Sequence, residues 1–139
     1  MLKRVKNPRL SRSKGARKAL LKGIALSLFE KGSIETSEAR AKGVRSFIQS
    51  ALRVSDNHEL DLRRVTSLLS IDRLKAEKVI LLGRALPVGS SATRIIRLGS
   101  RAGDMSPRVK LELLAKVPKV SKAEKSTKAN PSKSAPKSA

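Results

Sequence analysis

Residues 93–113 read TRIIRLGSRAGDMSPRVKLEL, and the end of that stretch decides the fold class. Val109, Leu111 and Leu113 alternate with Arg108, Lys110 and Glu112, the period of two expected of a half-buried strand. Thr93 to Leu98 is rich in β-branched residues, although its alternation is poorer. Gly99, Gly103, Asp104 and Pro107 supply turn chemistry between the two segments. The stretch therefore reads as a C-terminal β-hairpin. Val109, Leu111 and Leu113 are expected to face a helical layer, with Asp104 bonding nearby backbone amides to hold the loop.

Moving toward the N-terminus, the apolar spacing becomes helical. Ser11 or Ser13 caps a helix running to Lys31, with Leu20, Leu21, Ile24, Ala25 and Leu28 on one stripe and Gly32 as its stop. Ser33 to Thr36 is a brief strand. A second helix spans Ser37 to Val54 with Ala41, Val44, Phe47, Ile48, Ala51 and Leu52 inward, and Asp56-Asn57 breaks it. A third, His58 to Leu69, directs Leu60, Leu62, Val65, Leu68 and Leu69 inward. A fourth, Asp72 to Leu86, opens on an Asp cap and buries Leu74, Val79, Ile80 and Leu82. Pro87 and Gly89 interrupt it. The order is helix, short strand, three helices, then hairpin. That is an α+β protein, its small sheet covered by helices.

The 139 residues suffice for one modest core, and they divide unevenly by charge. Lys and Arg total 32 against 11 acids, a net charge of +21, and self-repulsion of that size calls for a polyanionic partner. Ten basic residues and one acid fall in residues 1–31, and seven Lys and one Glu in 115–139, whereas the middle resembles an ordinary surface. Residues 1–114 are expected to form a single domain with a basic arm over 1–10. Residues 115–139 are built of Lys, Ser, Ala and Pro and read as a disordered tail, either phosphate-seeking or merely solubilising.

Composition also narrows the function classes. With 1% aromatic residues, base stacking of the kind used by RNA-recognition sheets and single-strand grooves is close to excluded. There is no Cys, which removes disulfides, zinc fingers and thiol catalysis. The single His, His58, lies between Asp56 and Asp61, but acids at a helix start read better as capping and macrodipole partners than as a metal or acid-base cluster. No GxxxxGK[ST] phosphate loop occurs, and SRAGDMS has neither its spacing nor its Lys. No apolar run approaches the roughly 18 residues of a membrane span. The expectation is a binder, not an enzyme, with no cofactor, no metal, no membrane and no small-molecule substrate.

Two groups of cations carry the binding expectation. Lys3, Arg4, Lys6, Arg9, Arg12, Lys14, Arg17, Lys18 and Lys22 are nine basic residues without an intervening acid. Lys14, Lys18 and Lys22 recur every fourth residue, off the apolar stripe, and Arg17 lies beside it. Arg94, Arg97, Arg101 and Arg108 are expected to gather near one end of the sheet as a phosphate clamp. The plainer alternative is that Arg101 and Asp104 pair to stabilise the loop.

Taken together, these residues resemble the bacterial-type large-subunit ribosomal protein seventeen family. Arg4, Leu10, Arg12, Arg17, Ala19, Ala25, Ser27 and Leu28 fall where that family has the same residues. IETSEARAKGVR is similar to its I-x-T-T-x-x-K-A-K-E-L-R stretch through Ile34, Thr36, Ala41, Lys42 and Arg45, with Arg40 in place of a Lys. The middle matches weakly, through Arg63-Arg64 and Asp72. The hairpin matches at Thr93, Arg94, Ile95, Gly99, Arg101, Gly103, Asp104, Pro107, Glu112 and Leu113. Ala16 replaces a common His, and Ser90, Ser91 and Ala92 replace Gly-Gly-Tyr.

The resemblance covers about residues 1–114 and adds Lys42 and Arg45 to the candidate RNA-binding residues. It implies a structural constituent of the large ribosomal subunit, in cytoplasmic ribosomes, binding large-subunit rRNA near the outer side of the peptide exit tunnel beside neighbouring ribosomal proteins. Folded rRNA is read mainly by shape and phosphate, which suits an Arg-rich, aromatic-poor surface. The competing reading is a chromatin-like or nucleoid DNA-compacting protein, suggested by the Lys-Ser-Ala-Pro tail. A cleaved organelle leader is a third, and the gapless likeness from Met1 argues against it.

Overall fold

A computed structural model describes residues 8–87 and 90–115. Four helices and three strands follow one another as α1 (Lys14–Lys31), β1 (Ser33–Ser37), α2 (Glu38–Leu52), α3 (His58–Leu69), α4 (Arg73–Arg84), β2 (Thr93–Ser100) and β3 (Pro107–Leu113). The expected α+β class and element order hold. The short strand and the hairpin form one antiparallel sheet in the order β1-β3-β2.

Strand β3 is central because it alone has an apolar face long enough to serve two neighbours. Val109 and Leu111 are fully buried and Leu113 nearly so, as the alternation requires. Opposite them in register stand Thr36, Ile34, Thr93 and Ile95. Lys110 and Glu112 take the other face, where they pair at 2.8 Å; this ion pair raises the Lys110 ammonium above its usual pKa, through the Glu112 hydrogen bond first and its charge second. A bulge between Arg97 and Gly99 leaves Leu98 outside the ladder.

The helices close over the apolar face. Ala25, Leu28 and Phe29 of α1, Val44, Ile48 and Ala51 of α2, Val65 and Leu69 of α3 and Ala76, Val79 and Ile80 of α4 share one core with Leu111 and Leu113. Gly32 ends α1 in the left-handed region (φ 78°), donating its N–H to the Leu28 carbonyl at 2.8 Å. Ser13 occupies the N-cap of α1 without a side-chain bond. Helix α2 starts at Glu38 because Ser37 is still paired with Arg108, and it stops at Leu52 because Arg53 is extended. At the crossing of α2 and α4, a Cβ on Gly83 would lie 2.5 Å from the Leu52 carbonyl oxygen. No larger residue fits there without moving backbone.

Three expectations need correction. Leu60 and Leu74 are not core residues: they are 58% and 73% exposed. The buried face of α4 is set by Ala76, Val79 and Ile80, and Leu74 lies about half a turn from that face at 100° per residue. The fourth helix ends at Arg84, two residues early, as the Ala85 N–H reaches back to Leu81 and that of Leu86 to Gly83. Ala115, counted with the tail, is buried against the core. The expected disorder of the remaining tail lies outside the described residues, as does most of the basic arm.

Candidate nucleic-acid interface

The cations on α1 owe their exposure to where its apolar stripe begins. Only the second half of the helix is anchored by buried Ala25, Leu28 and Phe29. Over residues 14–19 every residue except half-buried Arg17 is exposed, so the first turn and a half stands clear of the body. Lys14 and Lys18 lie on that free portion. Lys22, one turn further, is half-buried and donates to Ser70 Oγ at 2.5 Å, fastening the basic row to the turn between α3 and α4. Arg9 and Arg12 are exposed just before the helix, where Leu10 and Ser11 take left-handed backbone (φ 54° and 51°). Arg12 Nη1 donates to the Leu10 carbonyl at 3.2 Å. Lys3, Arg4 and Lys6 lie outside the described residues.

Lys42 and Arg45 are both engaged within the fold. Lys42 Nζ lies 2.8 Å from Glu38 Oε1 and holds that carboxyl below the usual carboxylate range, by hydrogen bond first and charge second. Arg45 Nη2 donates to Ser91 Oγ at 2.9 Å. Beside it, Gln49 Oε1 accepts the Ala92 N–H at 3.1 Å while Nε2 donates to the Ser90 carbonyl at 3.3 Å. Ser90, Ser91 and Ala92 are thus docked on α2. Ala92 is 1% exposed, so in this chain the position of the family's Tyr faces the core.

The four hairpin arginines are not gathered at one end of the sheet. Arg94 stands opposite Glu112 and Arg108 opposite Gly99, four residues apart on β3, a separation of about 13 Å along the strands at the usual rise per residue. Arg97 stands opposite Val109, on the face that carries the helices, and its Nη2 reaches to 3.6 Å from Glu38 Oε1. Three residues apart on a strand, Arg94 and Arg97 must project to opposite faces. Arg101 is in the turn, where it grips Asp104 with two nitrogens, Nε to Oδ1 at 3.0 Å and Nη2 to Oδ2. Asp104 Oδ1 also accepts the Ser106 N–H at 3.2 Å. The Arg101 hydrogen bond, then the Ser106 amide, hold the Asp104 carboxyl far below the usual range, and the same pair raises Arg101. The expected loop-holding role of Asp104 is visible in these bonds.

The acids around His58 divide differently from the expected caps. Asn57 is the N-cap of α3, its Oδ1 accepting the Leu60 N–H at 3.3 Å. Asp61 is 2% exposed and buried; it accepts the Ser55 N–H at 2.7 Å and lies 3.1 Å from Arg64 Nη2. It ties the α2–α3 connection to α3 from inside. Among the described residues, no three His, Cys, Asp or Glu side chains come together as a metal site would require. No described helix is long and apolar enough to cross a membrane. The sequence names Arg40 only as the replacement for a Lys and not among the candidate binding residues, yet it lines a groove between α1 and β1 with Lys31, Leu20, Ile24 and Ile34. Only the packing of β1 beside α1 creates that groove.

Fold and side chains together define a small, strongly basic α+β protein whose cations occupy a projecting helix, the approach to it and a two-stranded arm. The chain belongs to the ribosomal protein L17 family, whose family model matches residues 20–114. It is 34% identical to the large ribosomal subunit protein bL17 of Symbiobacterium thermophilum over 78% of this chain and 98% of that protein. It is 35% identical to the bL17 of Gemmatimonas aurantiaca over 82% of this chain and 98% of that one. For the bL17 of Syntrophotalea carbinolica the identity is 33%, over 83% and 77% of the two chains.

Proposed function

We propose that this chain is a structural constituent of the large ribosomal subunit, without catalytic activity, and that it binds folded large-subunit rRNA through phosphate and shape contacts. Membership of the L17 family carries the ribosomal part of the reading. The observation that carries the RNA part is the free first turn and a half of α1, whose Lys14, Arg17 and Lys18 continue the run of cations from Arg9 and Arg12 with no acid among them. Phosphate oxygens are the natural partners of such a surface. Arg94 and Arg108 form no ion pair with any described residue and offer a second contact, along the outer face of the hairpin. Arg97 and Arg101 are engaged with Glu38 and Asp104, so they keep fewer free donors for phosphate. The neighbours in this reading are other large-subunit proteins, in the cytoplasmic ribosome.

The test is sedimentation of tagged full-length protein from a cell lysate. Co-migration with large subunits after a high-salt wash is the expected result. Co-migration with DNA instead would overturn the reading in favour of a DNA-compacting role.

A further inference from the structure

We infer that Met105, at the tip of the hairpin, is an apolar contact on a fixed backbone that stacks on an unstacked base of the bound RNA. The inference rests on the rRNA reading above. Met105 is 76% exposed, more than any other large apolar residue described, and it sits in left-handed backbone at φ 52°. A non-glycine residue held there is disfavoured unless its surroundings impose the conformation. Here they do. The Met105 N–H donates to the Arg101 carbonyl at 3.0 Å, and the Arg101 N–H donates to the Ser106 carbonyl at 2.9 Å. The Arg101–Asp104 pair and the Ser106 amide close the loop from the side-chain direction. A flexible thioether is thereby presented to solvent from a fixed base, with exposed Leu98 on the adjoining bulge.

The surroundings indicate what the side chain meets. Asp104 is consumed by Arg101, which leaves that pair neutral and the tip without an unpaired acid, and Arg108 at the start of the returning strand stands as the unpaired cation beside it. An unpaired cation beside an apolar point matches a nucleotide, the phosphate meeting Arg108 and the base Met105. The chain has two aromatic rings, Phe29 and Phe47, and both belong to the core or pack against it. Any apolar contact with a base must therefore come from an aliphatic or thioether side chain. Met is suited to that role, being unbranched, polarizable and favourable in contact with aromatic rings, and such wedges are used elsewhere on nucleic-acid steps. RNA offers splayed bases in its loops and bulges.

The experiment measures binding of the full chain and of M105G, M105Q and M105L to a protein-free large-subunit rRNA transcript, with dimethyl sulfate probing of the bases. M105G relaxes the backbone while removing the side chain, and M105Q keeps the length but not the apolar surface. Each should weaken binding by about tenfold, the scale of burying one such side chain, with melting temperature close to wild type and an unchanged salt slope. M105L should stay within about twofold by the same measure of apolar area. One base protected by the wild type should return to its free reactivity with M105G. Equal binding and protection by M105G and M105Q would overturn the contact alone. Loss confined to assembled subunits, with naked rRNA bound normally, would overturn it in favour of a protein neighbour. A wild-type chain that fails to bind the transcript would overturn the rRNA reading and this contact with it.

Discussion

Asp61 shows how much one side chain can carry at a junction between helices. Its carboxylate is buried, takes the Ser55 amide and faces Arg64, so removing it leaves a donor and a half-buried guanidinium without their partner. D61A should lower stability by about 2–4 kcal/mol, well above the effect of losing a surface cap, as read from urea denaturation at neutral pH. A change within a few tenths would show that water replaces both contacts. Asp104 is the opposite case, exposed but doubly bonded. Its carboxyl is held below its ordinary pKa, so the contribution of the Arg101–Asp104 pair is present above the ordinary carboxylate range. That contribution falls progressively as pH drops from the ordinary carboxylate range, and it is gone once pH has fallen through the lower folded value. Carbon-detected titration should find Asp104 still ionised below the ordinary carboxylate range, and R101A should raise its pKa back toward that range. R101A should also cost little thermal stability, while weaker rRNA binding by this variant would show that Arg101 reaches phosphate with its remaining donors.

Among the elements, the α2–α4 crossing is the least tolerant of change. A methyl on Gly83 would meet the Leu52 carbonyl oxygen at 2.5 Å and Val54 Cγ2 at 2.6 Å, and the first of these is backbone. G83A should therefore destabilise by about 1–3 kcal/mol, seen as a lower melting temperature with the same far-ultraviolet spectrum. If G83A melts with wild type, the two helices separate more easily than their contact implies. The elements differ in how far the sequence alone discloses them. The hairpin is legible because Val109, Leu111 and Leu113 must alternate to lie on one side of a pleat. Leu60 and Leu74 mislead because they are apolar yet lie away from the buried faces of their helices, and Ala76, a small residue, centres the buried face of α4. The candidate cations are legible as charges. Their engagement is not: Lys22 with Ser70, and Arg45 with Ser91, join residues far apart in the chain, and neither spacing nor composition records such pairs.

At the scale of the molecule, net charge governs behaviour away from any partner. With +21 to disperse, the free chain should gain stability from added salt, while its affinity for RNA falls with salt. Deleting residues 1–10 removes Lys3, Arg4, Lys6 and Arg9 and should flatten the dependence of log affinity on log salt by up to about 3.6, given roughly 0.7–0.9 per phosphate neutralised. An unchanged slope would show that these four make no phosphate contact. The sheet order carries a different consequence, one of timing. Strand β1 is made early, but its hydrogen-bonding partner is β3, and α2, α3, α4 and β2 are all synthesised between them. A nascent chain that has emerged as far as α4 can gather its helices, yet it holds β1 with both edges unsatisfied. Such an edge invites pairing with another chain. Polypeptides released before Leu113 should therefore aggregate or be degraded, and the last strand to appear is the one that seals the first.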